Sequence, residues 1–243
     1  MKRIRLNEQA RKFLRELGGI VLGVLIALGI GEVADDLRWK AKASNSMRAM
    51  RTELSQAAGV LDERVLAQPC LNRRLEQLDR LVRDARRTRS LPDLPTIGRP
   101  PVRPLLTVGW DDALDGGVLS HLNASDRTML GLNYPLLKAY PGEVNQEAGL
   151  WATLHIIQGT PGPVSDEILS QASVTIAQLQ WASQLNHVNA EQLRESIVAT
   201  GIKPNYHLIF DRDGSRADVV KQLSSRQICQ PFRPVAGATR DRR

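Results

Sequence analysis

Apolar and polar positions follow three different rhythms along this chain. From Leu17 to Gly31 there is an unbroken run of fifteen uncharged residues, Leu-Gly-Gly-Ile-Val-Leu-Gly-Val-Leu-Ile-Ala-Leu-Gly-Ile-Gly. At 1.5 Å per residue it covers about 22 Å, against roughly 30 Å of hydrocarbon in a bilayer. Phe13, Leu14, Val33 and Ala34 extend it, so the pattern predicts a short membrane-spanning helix. From residue 35 the rhythm becomes helical. Met47, Met50, Leu54, Ala57, Leu61 and Val65 recur three and four apart, then Leu71, Leu75, Leu78, Val82 and Ala85 do the same. Pro69 lies between the two stripes and predicts a break, hence a hairpin or stalk. The third pattern is Pro92, Pro95, Pro100, Pro101 and Pro104, an extended spacer that forbids helix.

Beyond Trp110 helical patterning returns. Ser125 is read as capping a helix bent at Pro135 and reaching Tyr140, and a further helix is expected over Glu143–Ile157. Ser165 caps another to about Asn186, with Ile168, Ala172, Ile176, Leu179 and Leu185 facing inward. Asn189 is expected to cap the next, which ends at Gly201. Tyr206–Phe210 is open between strand and helix. Ser215 followed by Asp218 has capping-box spacing. The expected fold is mainly α: residues 1–16 a basic leader, 17–34 the transmembrane anchor, 35–90 a helical stalk or hairpin, 91–109 a Pro-rich linker, 110–231 a helical distal domain and 232–243 a disordered tail.

Composition supports this division. Apolar residues make up 42% of the 243, too few for a polytopic membrane protein, and aromatics only 4%, which suits an aliphatic helical core. The net charge of +7 is unevenly placed. Lys2, Arg3, Arg5, Arg11, Lys12 and Arg15 precede the apolar run, whereas Arg38, Lys40 and Lys42 follow it. That asymmetry favours a cytoplasmic N-terminus and a periplasmic body. A buried soluble helix and a cleaved signal peptide compete with the anchor reading. Glu32 would occupy the −3 position of cleavage after Ala34, where a small residue is wanted.

Small residues at Gly19, Gly23, Ala27 and Gly31 share one helical face. Such a face lets two transmembrane backbones approach, so self-association or docking on another membrane protein is expected there. Cys70 and Cys229 are the only cysteines. In an oxidising compartment they pair, and in a reducing one they stay two thiols. Arg73, Arg74, Arg80, Arg83, Arg86 and Arg87 form a basic face beside Glu76, Asp79 and Asp84. It reads as a solvated surface, with anionic lipid or an acidic partner as the sharper alternative. Nucleic acid is not an expected partner.

Chemistry is sparse. His121, His155, His187 and His207 are scattered without metal-ligand spacing, and His155 reads as a partly buried structural histidine. Asp211-x-Asp213-Gly214 lacks the remaining ligands of a calcium loop. Asp111, Asp112 and Asp115 stand where a helix dipole alone favours acids. No cofactor site is expected. A periplasmic ligand sensor or enzyme remains the alternative, and it requires His155, His187 and the Asp111–Asp115 cluster to converge.

The stretch Glu16-Leu-Gly-Gly-Ile-Val-Leu-Gly-Val-Leu-Ile-Ala-Leu-Gly-Ile resembles a broad family of uncharacterised bacterial single-pass membrane proteins with a short basic leader and a Gly-Val-Leu-Ile-Ala-Leu anchor. Trp110-Asp-Asp-Ala-Leu-Asp-Gly-Gly-Val-Leu resembles their Trp and Gly pattern ahead of a helix. The resemblance implies topology and a helical class, with no activity attached. The function expected from the sequence is that of an anchored structural or accessory protein that binds another membrane or periplasmic protein.

Overall fold

A computed structural model describes residues 8–158 and 161–233, and the first seven residues of the leader and positions 234–243 lie outside it. The described chain is 79% helical. One element dominates: α1, Glu8–Thr88, an uninterrupted helix of 81 residues. At 1.5 Å per residue it is about 120 Å long. From Arg15 to Arg38 its side chains are exposed, and its C-terminal part is the central post of the body.

The expected break at Pro69 does not occur, so residues 35–90 form one post and no hairpin. Proline removes one backbone hydrogen bond and strains the preceding turn, at about 3 kcal/mol. Here the ring points to solvent while Ala67, Leu71 and Leu75 on either side are fully buried. Burial of a leucine side chain contributes about 2 kcal/mol, so packing on both sides of the proline outweighs its local cost.

After α1 a two-residue strand β1 (Ser90–Leu91) pairs antiparallel with β2 (Gly162–Pro163). The Pro-rich segment is extended as expected, but it is no free spacer. Leu91, Leu94 and Ile97 are buried in the body. An extended segment has no helical periodicity to show which residues face inward, so its burial was not legible. Gly98 has φ +78, and a Cβ there would lie 2.8 Å from the Ile228 nitrogen.

Three further long or medium elements wrap the post. α2, Val108–Asp115, leads into a 3-10 turn at Val118–His121. α3, Ala124–Thr153, is capped by Asn123, whose side chain accepts from the Asp126 N–H, in place of Ser125. It runs through both Pro135 and Pro141, so the two helices expected over 125–157 are one, followed by a 3-10 turn at Leu154–Ile157. α4, Asp166–Ala199, starts at Ser165 as read from the sequence. It passes Asn189 without a break, because the Asn189 side chain donates to Glu143 at 2.7 Å and caps nothing. Contacts of α3 with Met50 and Arg64, and of α4 with Arg86, Arg64 and then Asp62, show α3 rising beside α1 and α4 returning.

The chain then crosses α1 at Gly59, where a Cβ would come within 2.0 Å of the Asn205 carbonyl oxygen. Ser55 donates to the Lys203 carbonyl at 2.6 Å and accepts at its own carbonyl from the Asn205 N–H at 2.8 Å. Two short helices follow, α5 (His207–Phe210) and α6 (Arg216–Ser225). The open choice at Tyr206–Phe210 thus resolves as helix, and Ser215 and Asp218 make both capping-box hydrogen bonds. The expected disordered tail begins too early at 232, since Phe232 is 8% exposed and packs in the upper core.

The core is strung along α1. A lower cluster joins Met50, Leu54 and Leu61 to Leu130, Tyr134, Leu193 and Ile197. An upper cluster joins Leu71, Leu75 and Leu78 to Trp151, Leu169 and Ile176. The stripes read from the sequence on α1 are therefore the core face.

Candidate interaction site

The apolar segment of α1 is exposed throughout. Ile20, Leu22, Leu25, Leu28 and Ile30 are each 59–66% accessible. Mean hydropathy over its best window is 2.2, and no residue of that window is buried by the protein. The chain thus carries one helix long and apolar enough to cross a membrane, near its N-terminus. Around Gly19, Gly23 and Gly31 nothing lies within 4 Å of where a Cβ would stand. Ala27 is exposed on the same run, so the small-residue face is open.

Between the two cores α1 carries three consecutive charges, Asp62, Glu63 and Arg64, each at most 5% exposed. Successive helix residues point about 100° apart, so all three can be buried only where the post is surrounded. Asp62 accepts from Arg194 of α4, Arg216 of α6 and the Tyr206 hydroxyl, the last two at 2.9 and 3.0 Å. Burial, with Asp62 alongside, pushes the Tyr206 hydroxyl up to about 12. Glu63 accepts from Arg103 of the Pro-rich segment at 3.0 Å and faces Arg226 at 3.7 Å. Arg64 donates to Gln68, the Ser183 carbonyl and Glu147. Glu147 also accepts from Asn186 at 2.7 Å. These pairs tie α3, α4, α6 and the Pro-rich segment to one level of the post.

Sequence reasoning missed this belt because charge was read as solvated surface. The signal available was the placement of Asp-Glu-Arg between two apolar stripes of one helix. The same network corrects the inward stripe of α4. Ser183 and Asn186 face inward to meet Arg64 and Glu147, and Leu185 is turned out at 40% exposure.

The basic face at Arg73–Arg87 divides. Arg73, Arg80, Arg83, Arg86 and Arg87 are exposed, with Arg83 on Asp79, Arg87 on Asp84 and Arg86 donating to Ser173 at 3.1 Å. Arg74 is 2% exposed and is no surface contact. It donates to the carbonyls of Ile97, Gln227 and Gln230 at 2.5–2.8 Å and stacks on Phe232. Burial lowers its guanidinium to about 10. Arg73 lies 39 residues beyond Ala34, about 58 Å along α1, so this face stands far from the apolar segment. Beside Arg74, Cys70 and Cys229 are bonded, closing 159 residues.

The chemical candidates do not gather. His155 is exposed and lines a cavity of about 340 Å³ with Arg99 and Arg226. His187 stands 3.9 Å from Glu191 on its own helix. Asp111 pairs with Lys138 at 2.7 Å, and that hydrogen bond holds its carboxyl below the ordinary value. Among the described residues no group of three or more His, Cys, Asp or Glu is placed to hold a metal ion.

The outer side of α3 and α4 is apolar and open. Leu132, Leu136 and Trp181 are 57–72% exposed, and Leu185 joins them. Two grooves of about 330 and 180 Å³ run between the helices, and Glu143 is the one charged residue that lines either. Trp181 stands open one turn from Leu185, and Leu136 lines the groove farther along the same side, so the exposed apolar side chains follow the seam of α3 and α4, and such exposure marks an association surface. Nothing in the sequence stripe pointed to it, since Leu185 was assigned inward. No protein family, curated sequence or solved structure matches the chain.

Proposed function

We propose that the protein is a single-pass, membrane-anchored accessory protein whose body stands on the periplasmic side of a bacterial inner membrane and binds another membrane or periplasmic protein. The observation that carries this is α1 itself: one helix whose segment Leu17–Ala34 is apolar but for Glu32 and uncovered, and whose part from Ala43 on is the core post of a folded body. A core helix of a soluble protein is mostly buried, and this segment is not. The bonded Cys70–Cys229 pair and the excess of basic residues before the span support the orientation. Partnership is supported by the open small-residue face of the anchor and by the bare side of α3 and α4. That groove, acidic at Glu143 and otherwise neutral, fits an amphipathic helix of the partner that brings one cation.

Topology is tested by C-terminal fusions to alkaline phosphatase and to a reporter active only in the cytoplasm. Phosphatase activity is expected, and an active cytoplasmic reporter overturns the orientation. On the same preparation, alkylation without reductant should leave both cysteines unmodified. Partnership is tested by native electrophoresis in mild detergent. The wild type is expected above monomer mass and Trp181→Ala or Gly23→Leu at monomer mass. A wild type that runs as monomer in the native membrane extract sinks the accessory reading.

A further inference from the structure

The lowest part of the body is a foot made by α2 and the turn after it. α2 descends along α1. Gly109 donates to Glu53, Lys42 donates to the Gly116 carbonyl at 3.0 Å, and His121 stacks on Trp39 with centroids 4.0 Å apart. The chain then turns back up at Asn123 into α3. Trp39 also carries Lys42 over its ring at 4.9 Å. Leu114, on the outside of this foot, is 53% exposed.

The height of the foot is set by α1, which is continuous from the apolar segment into the body. Residues 17–34 supply about 27 Å of apolar helix, slightly less than the roughly 30 Å of hydrocarbon. Trp39 lies five residues past Ala34 and Lys42 eight, so they stand about 8 and 12 Å beyond it along the axis. The headgroup layer on each side is about 5–8 Å deep. A span shorter than the hydrocarbon draws its ends to the edge of the apolar layer until the bilayer thins to match, so the body is not lifted above these heights. The gap left under the foot is smaller than the roughly 10 Å diameter of one helix. No folded protein fits there.

We infer that the underside of the foot, formed by Trp39, Lys42 and His121, rests in the headgroup layer and is a lipid-contacting surface. The inference rests on the anchor reading but not on which side the body occupies. An indole beside a lysine is the residue chemistry of the membrane interface. The contact needs no anionic lipid. Asp35 and Asp36 pair with Arg38 and Lys40, and Asp112 and Asp115 stand exposed on the foot against Lys42.

The test uses the full chain in phosphatidylcholine vesicles. Both native cysteines are bonded, so one introduced cysteine is the only free thiol for a fluorophore. Three positions are labelled separately: Leu25→Cys in the span, Ser120→Cys, exposed beside His121 at the bottom of the foot, and Arg80→Cys far up the post. Lipids carrying a nitroxide in the acyl chain should quench the label at 25. Headgroup nitroxide should remove roughly half the emission at 120, as expected for a side chain at interface depth, and leave position 80 unchanged. If 25 is quenched and 120 is as bright as 80, the foot inference is wrong and the anchor stands. If 25 is not quenched, the anchor reading fails and the foot with it. Quenching at 120 that appears only after phosphatidylglycerol is added overturns the neutral-surface part.

Discussion

Single residues in this body act through the number of partners they hold. Arg74 satisfies three carbonyls from two segments, of which the one at Gln227–Gln230 is joined to the post by the adjacent disulfide. Arg74→Met keeps the volume but strands those acceptors. A loss of about 3 kcal/mol is expected in denaturant unfolding, whereas Arg80→Ala should stay within about 0.5 kcal/mol. Equal small effects at both positions would show that the carbonyls find other donors. Nothing distinguishes the two arginines in the sequence except that Arg74 lies one turn from Cys70, since each is followed by a leucine, Leu75 or Leu81. Their fates differ because one side of the helix is covered by residues more than 150 positions away. At the surface, Asp218 shows a pH effect of definite sign. Hydrogen bonds from Ser215 hold its carboxyl below the ordinary 3.8. A depressed acid stabilises the fold above the unfolded value, and the contribution is lost as pH falls through the folded one. The gap in stability between wild type and Asp218→Asn should therefore be present at pH 6 and close as the pH drops below 3.8.

At the scale of elements, periodicity was legible and punctuation was not. The stripes from Met50 to Leu61 and from Leu71 to Ala85 on α1 are the observed core faces. Pro69 was read as a break and Pro135 as a bend, yet α1 and α3 run through them, and α3 runs through Pro141 as well. Each proline sits at an exposed or half-exposed position, where one missing hydrogen bond competes against leucines and tyrosines buried on both sides. That competition is tertiary, and a local rule cannot decide it. The charged belt was equally hidden, because the burial of Asp62, Glu63 and Arg64 depends on α4, α6 and the Pro-rich segment arriving at one level. Register among α1, α3 and α4 is set there by Arg64 and Glu147. Glu147→Gln or Arg64→Met alone leaves a buried partner uncompensated and should cost about 3–5 kcal/mol. The pair Arg64→Met with Glu147→Met should recover most of that loss. A double variant as unstable as the sum of the singles would mean that the two residues act independently.

For the whole molecule, the division of labour along α1 sets what can be separated. Among the described residues no side chain before Ala43 is buried, while the cores draw on residues 43 to 232. The apolar segment therefore contributes no buried contact to the fold. A chain starting at Asp35 keeps every buried contact. It also begins its helix with Asp35 and Asp36, acids that the helix dipole favours at an N-terminus. Such a chain is expected to dissolve without detergent, to form the Cys70–Cys229 bond and to unfold within about 0.5 kcal/mol of the anchored protein, as changes away from packed contacts do. Circular dichroism and denaturant unfolding in buffer read this directly. Its bare α3–α4 side should then be the surface through which it associates, so Trp181→Ala in the same chain should raise the concentration needed for any oligomer seen by sedimentation. If the chain from Asp35 fails to fold, the span and the body are one cooperative unit. The uncovered helix would then have to be packed against something within the membrane before the body could form.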